Sequence, residues 1–190
     1  KFAVQITGPT PTDSTWSNKW VDGRGNPSVA EVWLTDAQLD GLVINGLQIG
    51  TTYEAKSKAR NEDTTETAMS SLGSGATLAD TTPPSPNPMT FASLTPAANS
   101  ITITASTATD ATTPPVQYLF GYYDCAGGSG TGGSGSIWQS STAFVDSGLQ
   151  PNKCYGYKVQ ARDSATALNT TASSTQSEKY TLANVPGAPT

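Results

Sequence analysis

Phe2-Ala3-Val4-Gln5-Ile6 alternates apolar and polar side chains and runs into Gly8-Pro9, the pattern of a half-buried strand closed by a turn. Thr15 to Val21 alternates again, which predicts Trp16 and Trp20 on one face of a second strand. The turn cluster Asp22 to Pro27 separates it from Val29-Ala30-Glu31-Val32-Trp33-Leu34, a third predicted strand rich in residues that suit a pleated surface. Leu42-Val43-Ile44 leads through Asn45-Gly46 into an alternating stretch around Tyr53, and Thr67 to Leu78 supplies a last strand. The same succession restarts with Met89 to Leu94, Ser100 to Thr104, Val116 to Tyr123, Ile137-Trp138, Thr142 to Val145 and a long alternating run from Lys153 to Asp163. No window sustains a capped helical period, so no long helix is predicted. Short strands separated by turn residues predict an all-β chain built as sandwiches.

The pattern repeats. Gly46-Leu47-Gln48, Tyr53 and Ala59-Arg60 recur 102 positions later as Gly148-Leu149-Gln150, Tyr155 and Ala161-Arg162. Between the copies lies Asp80-Thr81-Thr82-Pro83-Pro84-Ser85-Pro86-Asn87-Pro88. Proline fixes φ and removes amide donors, so this run reads as a stiff extended linker. The expected domains are 1–80 and 81–184. Residues 185–190 resemble the same Pro-rich entry and are expected to begin a connector to a following domain, as in a pair taken from a longer array.

In each copy a turn precedes a Tyr, and alternating positions then close in Ala-Arg and an Asp or Asn. This resembles the strand-F corner of fibronectin type III domains. The resemblance implies two tandem immunoglobulin-like β-sandwiches, each near one hundred residues. It places Trp16 and Trp20 on strand B and Val32-Trp33-Leu34 on strand C of the first domain. In the second domain it places Ile101 and Ile103 on strand B and Tyr118 to Tyr123 on strand C. It also implies a structural role for Tyr53 and Tyr155, whose hydroxyls are expected to bond upstream backbone while the rings pack inward. Two departures stand out: Ser57 occupies the position that Val159 fills, and the second domain carries a Gly/Ser insert, Ala126 to Ser136.

The resemblance puts Cys125 at the end of strand C and Cys154 at the start of its neighbour F, so it implies a disulfide between them. The bridge would close a loop of about 30 residues, worth roughly 3–4 kcal/mol in the chain-entropy model, and would imply an oxidising compartment. A metal pair or a reactive thiol is the rival reading, but the chain has no His, and two Cys alone do not make a zinc site.

Composition narrows the function. Charged residues are 13% of the chain, about half the globular norm, and the net charge is −5. With a pI near 4.5 and no basic run, nucleic acid is not an expected partner. No stretch approaches the roughly 20 apolar residues of a membrane helix, so no membrane insertion of this segment is expected. The Gly-rich run Gly127 to Gly135 lacks the Gly-Lys-Ser/Thr ending of a phosphate loop and reads as a flexible hairpin tip. With His absent, acid–base chemistry would fall to carboxylates, Lys or Tyr, and loop carboxylates such as Asp13, Asp22, Glu62, Asp63 and Asp163 more often form solvated turns. No Asp-x-Asp-x-Asp-Gly calcium pattern occurs. No catalytic residue, cofactor site or metal site is assigned.

Trp138 follows the Gly-rich run and is the candidate ligand platform, since indole faces stack on sugar rings. Asn169-Thr170-Thr171 has the form of a glycosylation sequon. The leading expectation is a non-enzymatic, extracellular or cell-surface structural or adhesive tandem: a spacer, stalk, adhesin segment or filament subunit of an exported, bacterial-type protein. Its expected partners are other domains or copies of the same protein, with cell-surface or polysaccharide ligands besides. The alternative is a carbohydrate-binding or accessory segment of a secreted polysaccharide-active enzyme.

Overall fold

The structure is a computed structural model that describes residues 1–8 and 13–184. Pro9 of the first predicted turn, and the connector at 185–190, lie outside the described residues. The chain divides into two compact units, Lys1–Ala79 and Asp80–Thr190.

Unit 1 holds β1 (Phe2–Ile6), β2 (Lys19–Val21), β3 (Pro27–Ser28), the short helix α1 (Asp36–Leu39), β4 (Thr52–Ala59) and β5 (Gly73–Ala76). They form one antiparallel sheet in the order β3-β2-β1-β4-β5. The irregular segment 34–47, containing α1, lies over one face. Its Leu42, Ile44 and Leu47 pack against the small buried cluster of Ile6, Trp16, Val21 and Tyr53. α1 starts where Thr35 and Gln38 form a capping box, with the Gln38 side chain accepting the Thr35 amide at 2.9 Å.

Unit 2 holds β6 (Phe91–Pro96), β7 (Ser100–Ala105), β8 (Gln117–Tyr123), β9 (Ala143–Ser147), β10 (Cys154–Arg162) and β11 (Ser177–Tyr180). Two three-stranded sheets, β6-β7-β9 and β11-β10-β8, face each other. Alternation does what the pattern demands: Ile101, Ile103 and Ala105 from one sheet meet Tyr118, Phe120, Tyr157, Val159 and Ala161 from the other. The result is an all-β, immunoglobulin-like β-sandwich. The Pro-rich run lies along this unit. Ser85 and Thr109 exchange main-chain hydrogen bonds at 2.9 Å, and the Asn87 side chain accepts the Ala172 amide at 2.8 Å.

Three expectations for unit 1 are corrected. Val29 to Leu34 is no strand: Val29 is exposed and only Leu34 bridges, to Phe2. The side of β1 that this stretch would need is already paired with β2 at Gln5 and Ile6. Trp16 and Trp20 do not share a strand face. Asn18 adopts the left-handed region (φ 56) between them, which breaks the alternation. Trp16 then falls in a turn and enters the core, whereas Trp20 pairs with Gln5 on the opposite side of the sheet. Finally, the place beside the Tyr53 strand belongs to β1, not to Val32-Trp33-Leu34.

Candidate functional site

The feature common to both units is a hydroxyl clamp at the start of the Tyr strand. In unit 1 the Gln48 amide donates to the Tyr53 hydroxyl oxygen at 2.8 Å, and that hydroxyl donates to Asp13 Oδ2 at 2.7 Å. In unit 2 the Gln150 amide donates to Tyr155 at 2.8 Å, and Tyr155 donates to the Thr131 carbonyl at 2.7 Å. A tight turn leaves an amide pointing inward, and the hydroxyl five residues on satisfies it while passing its own proton to a distant segment. Each Tyr thus ties three parts of the chain together.

The titration behaviour follows from this geometry. Asp13 is held below the ordinary carboxylate value of 3.8, chiefly by the hydrogen bond from Tyr53. Tyr53 is pushed up, first by burial and then by that same bond. Tyr157 is pushed up further, by burial and by donating to Asp146 at 2.8 Å. Asp146 is fully buried, and Ser134 donates to it from both its amide (3.0 Å) and its hydroxyl (2.7 Å). Asp146 carries no motif of its own, but alternation along β9 puts it on the face of Phe144 and so turns it inward. In the sequence Asp13 reads like an ordinary turn carboxylate.

Cys125 and Cys154 form a disulfide with their Cα atoms 6.1 Å apart. Both are buried, and Cys154 immediately precedes Tyr155. The bridge and the clamp therefore secure the same corner.

The Gly/Ser insert is not a flexible tip. Ser136 donates its amide to the Phe120 carbonyl at 2.8 Å, Phe120 donates back to the Ser136 hydroxyl at 3.0 Å, and Tyr118 and Gln139 exchange main-chain bonds. Gly130 is buried, and a Cβ there would collide with the Tyr155 hydroxyl. A Cβ at Gly133 would meet the Tyr122 ring, and one at Gly135 would meet the Phe120 carbonyl. Gly130, Gly133 and Gly135 are present because aromatic side chains and backbone occupy the space a side chain would need, whereas Gly127 and Gly128 are exposed with open space beside them.

Cations stack on aromatic rings on the other face of each Tyr-strand sheet. In unit 1 Arg60 sits 4.3 Å from the Trp33 ring centre, and Lys58 lies over Trp20 and Trp33 at 5.6 and 5.2 Å while pairing with Glu31 and Glu66. In unit 2 Arg162, the counterpart of Arg60, sits 4.3 Å from the centre of the Trp138 ring and donates twice to the Gln117 side-chain carbonyl. Trp138 is half-buried, and one indole face is taken by this guanidinium.

Asp80, Asp110 and Asp163 bring three carboxylate oxygens within 4.8 Å of one another, the set in unit 2 able to surround a hard cation. The chain itself already uses them. The Thr113 hydroxyl lies 2.6 Å from Asp80 Oδ2 and 3.1 Å from Asp163 Oδ2, and Asn169 donates to Asp163 at 2.7 Å. Asp80 is held below the ordinary carboxylate value, chiefly by the Thr113 bond. The sequon residue Asn169 spends its side-chain amide here. Cys125, Cys154 and Glu178 also converge, but both sulfurs are committed to the disulfide.

No protein-family model matches the chain, and no curated protein matches it either. Among solved structures it is similar to the FN1-FN3 domains of chicken CNTN1, with 17% sequence identity and a TM-score of 0.39. That match covers 95% of this chain and 56% of the other, so the chain spans a little more than half of its neighbour's length.

Proposed function

We propose that this chain is a non-catalytic, extracellular structural tandem: a spacer or stalk segment of an exported surface or secreted protein, contacting other domains or copies of that protein. The observation that carries this reading is the clamp in both units, a turn amide held by a Tyr hydroxyl that is itself bonded to a remote segment. Such a clamp resists peeling of the Tyr strand from its turn, which suits a part that transmits force or holds distance. The disulfide beside the second clamp supports an oxidising location. The Asp80, Asp110 and Asp163 carboxylates come together where Thr113 and Asn169 side chains bond to them, which stiffens these loops.

Single-molecule pulling on the purified chain tests the proposal. Discrete unfolding events that weaken in Tyr53→Phe and Tyr155→Phe are expected. Featureless extension at low force, or hydrolytic turnover of any polysaccharide by the purified chain, would overturn it. Binding to insoluble polysaccharide that is lost in Trp138→Ala would instead favour an accessory carbohydrate-binding role.

A further inference from the structure

Unit 2 shows what the open side of unit 1 is built to receive. The registers superimpose: Phe2, Val4 and Ile6 oppose Ala59, Ser57 and Ala55 as Tyr118, Phe120 and Tyr122 oppose Ala161, Val159 and Tyr157. β1 is therefore the counterpart of β8, and β4 the counterpart of β10. The segment 41–45 is the counterpart of β9, since Leu42 and Ile44 turn inward as Phe144 and Asp146 do, while Val43 is exposed like Val145.

Nothing among the described residues of unit 1 corresponds to β6 and β7, and the face they cover in unit 2 is open. Phe2 is 38% exposed where Tyr118 is 3% exposed, and Ser57 is exposed where Val159 is fully buried. An apolar groove of about 370 Å³ runs between Ile6, Ile44, Leu47, Tyr53 and Ala55. A second hollow continues it past Val4 and Ser57. In unit 2 β9 pairs along its length with β7, Ile101 opposite Asp146 and Ile103 opposite Phe144. In unit 1 the amide and carbonyl of Ile44 make no hydrogen bond among the described residues, which leaves a strand edge ready to pair.

The geometry points to one occupant, a two-stranded antiparallel β-ribbon of the β6–β7 kind, carried by the same polypeptide. Its inner strand pairs with residues 41–45, and its alternate apolar side chains fill the groove over Val4 and Ala55. A source in the same chain follows from unit 2, where β7 runs into β8 through the connection 106–116; the equivalent ribbon runs into Phe2. A second copy of this chain is a poor donor, because the inward side chains of its own ribbon, Ile101 and Ile103, are already buried in the core of its unit 2.

The first test is the coding sequence ahead of Lys1. Two alternating-apolar strands within about 30 residues of Phe2 are expected; a coding sequence without them overturns the proposal. The second is amide exchange on residues 1–190 and on the chain extended by its natural upstream sequence. Exchange at Leu42 to Asn45 and at Thr52 to Ala59 is expected to slow at least ~10-fold in the longer chain. Ile44→Asp should abolish that slowing, and Val43→Asp, on the opposite face, should leave it. Unchanged exchange in the longer chain, or slowing of residues 1–190 that depends on protein concentration, overturns the proposal.

Discussion

The two units use the same Tyr strand at different depths. In unit 2, Tyr155, Tyr157, Val159 and Ala161 are all fully buried, within a core of twelve residues drawn from both sheets. In unit 1 the matching positions are Tyr53, Ala55, Ser57 and Ala59; only the Tyr is buried, in a core cluster of four among the described residues. The clamp is nevertheless intact in both. A hydroxyl bonded at its own turn needs local geometry, whereas the strand beyond it needs an opposing sheet to hide its inner face. One sequence motif thus carries a local function that survives without the layer that normally covers it.

Substitutions at matched positions would break the comparison most directly. Phe120→Ala, in the closed core, should cost about 3–5 kcal/mol. Val4→Ala, its half-buried counterpart, should cost about 1 kcal/mol, because little cavity forms at an open face. Urea unfolding followed by amide exchange in each unit reads both, and equal costs would contradict the stated difference in depth. Replacing Cys125 and Cys154 by Ala should lower the stability of unit 2 by about 3–4 kcal/mol while leaving exchange in unit 1 unchanged. A thiol reductant gives the same asymmetry without mutation.

The clamp itself predicts symmetry. Tyr53→Phe and Tyr155→Phe each strand a turn amide and a remote acceptor, and each should cost about 1–3 kcal/mol in its own unit. A cost confined to Tyr155 would mean that the clamp works only under a complete core. The smallest effect is pH dependence. Asp13 is ionised and bonded in folded unit 1, with its pKa below the unfolded value near 3.8. Its contribution is complete above about pH 4 and is lost as pH falls through the folded pKa. The unit 2 clamp ends on a carbonyl, which does not titrate. Acid unfolding of unit 1 should therefore flatten in Tyr53→Phe, and the unit 2 clamp should add no matching slope.

The long strands of unit 2 were legible because they rest on alternation, and the Cys pair because the resemblance places both residues at one corner; Ile137-Trp138, which alternation also suggests, forms no strand. The neighbours of Phe2 to Ile6 were not. A five-residue alternating strand declares its two faces but not which strands flank it, so Phe2 to Ile6 reads as an opening strand although it is the partner of Thr52 to Ala59. The signal that could have warned of this was Ser57, a polar residue at an inward position. The Gly/Ser insert misled for a related reason. Composition reports how freely a segment can bend, and cannot report that Tyr122, Tyr155 and the Phe120 carbonyl already fill the space around it.

That insert has a practical consequence. A run such as Gly127-Gly128-Ser129-Gly130-Thr131-Gly132-Gly133-Ser134-Gly135 is what an engineer would choose for splicing in a tag, a peptide epitope or a reporter. Here the part from Gly130 to Gly135 is a poor place to do so. A side chain in place of Gly130, Gly133 or Gly135 meets a ring or a carbonyl, and replacing Ser134 removes its hydroxyl bond to Asp146. The segment has the vocabulary of a tether and the tolerance of a core. Grafts belong at the exposed Thr64 turn of unit 1 instead.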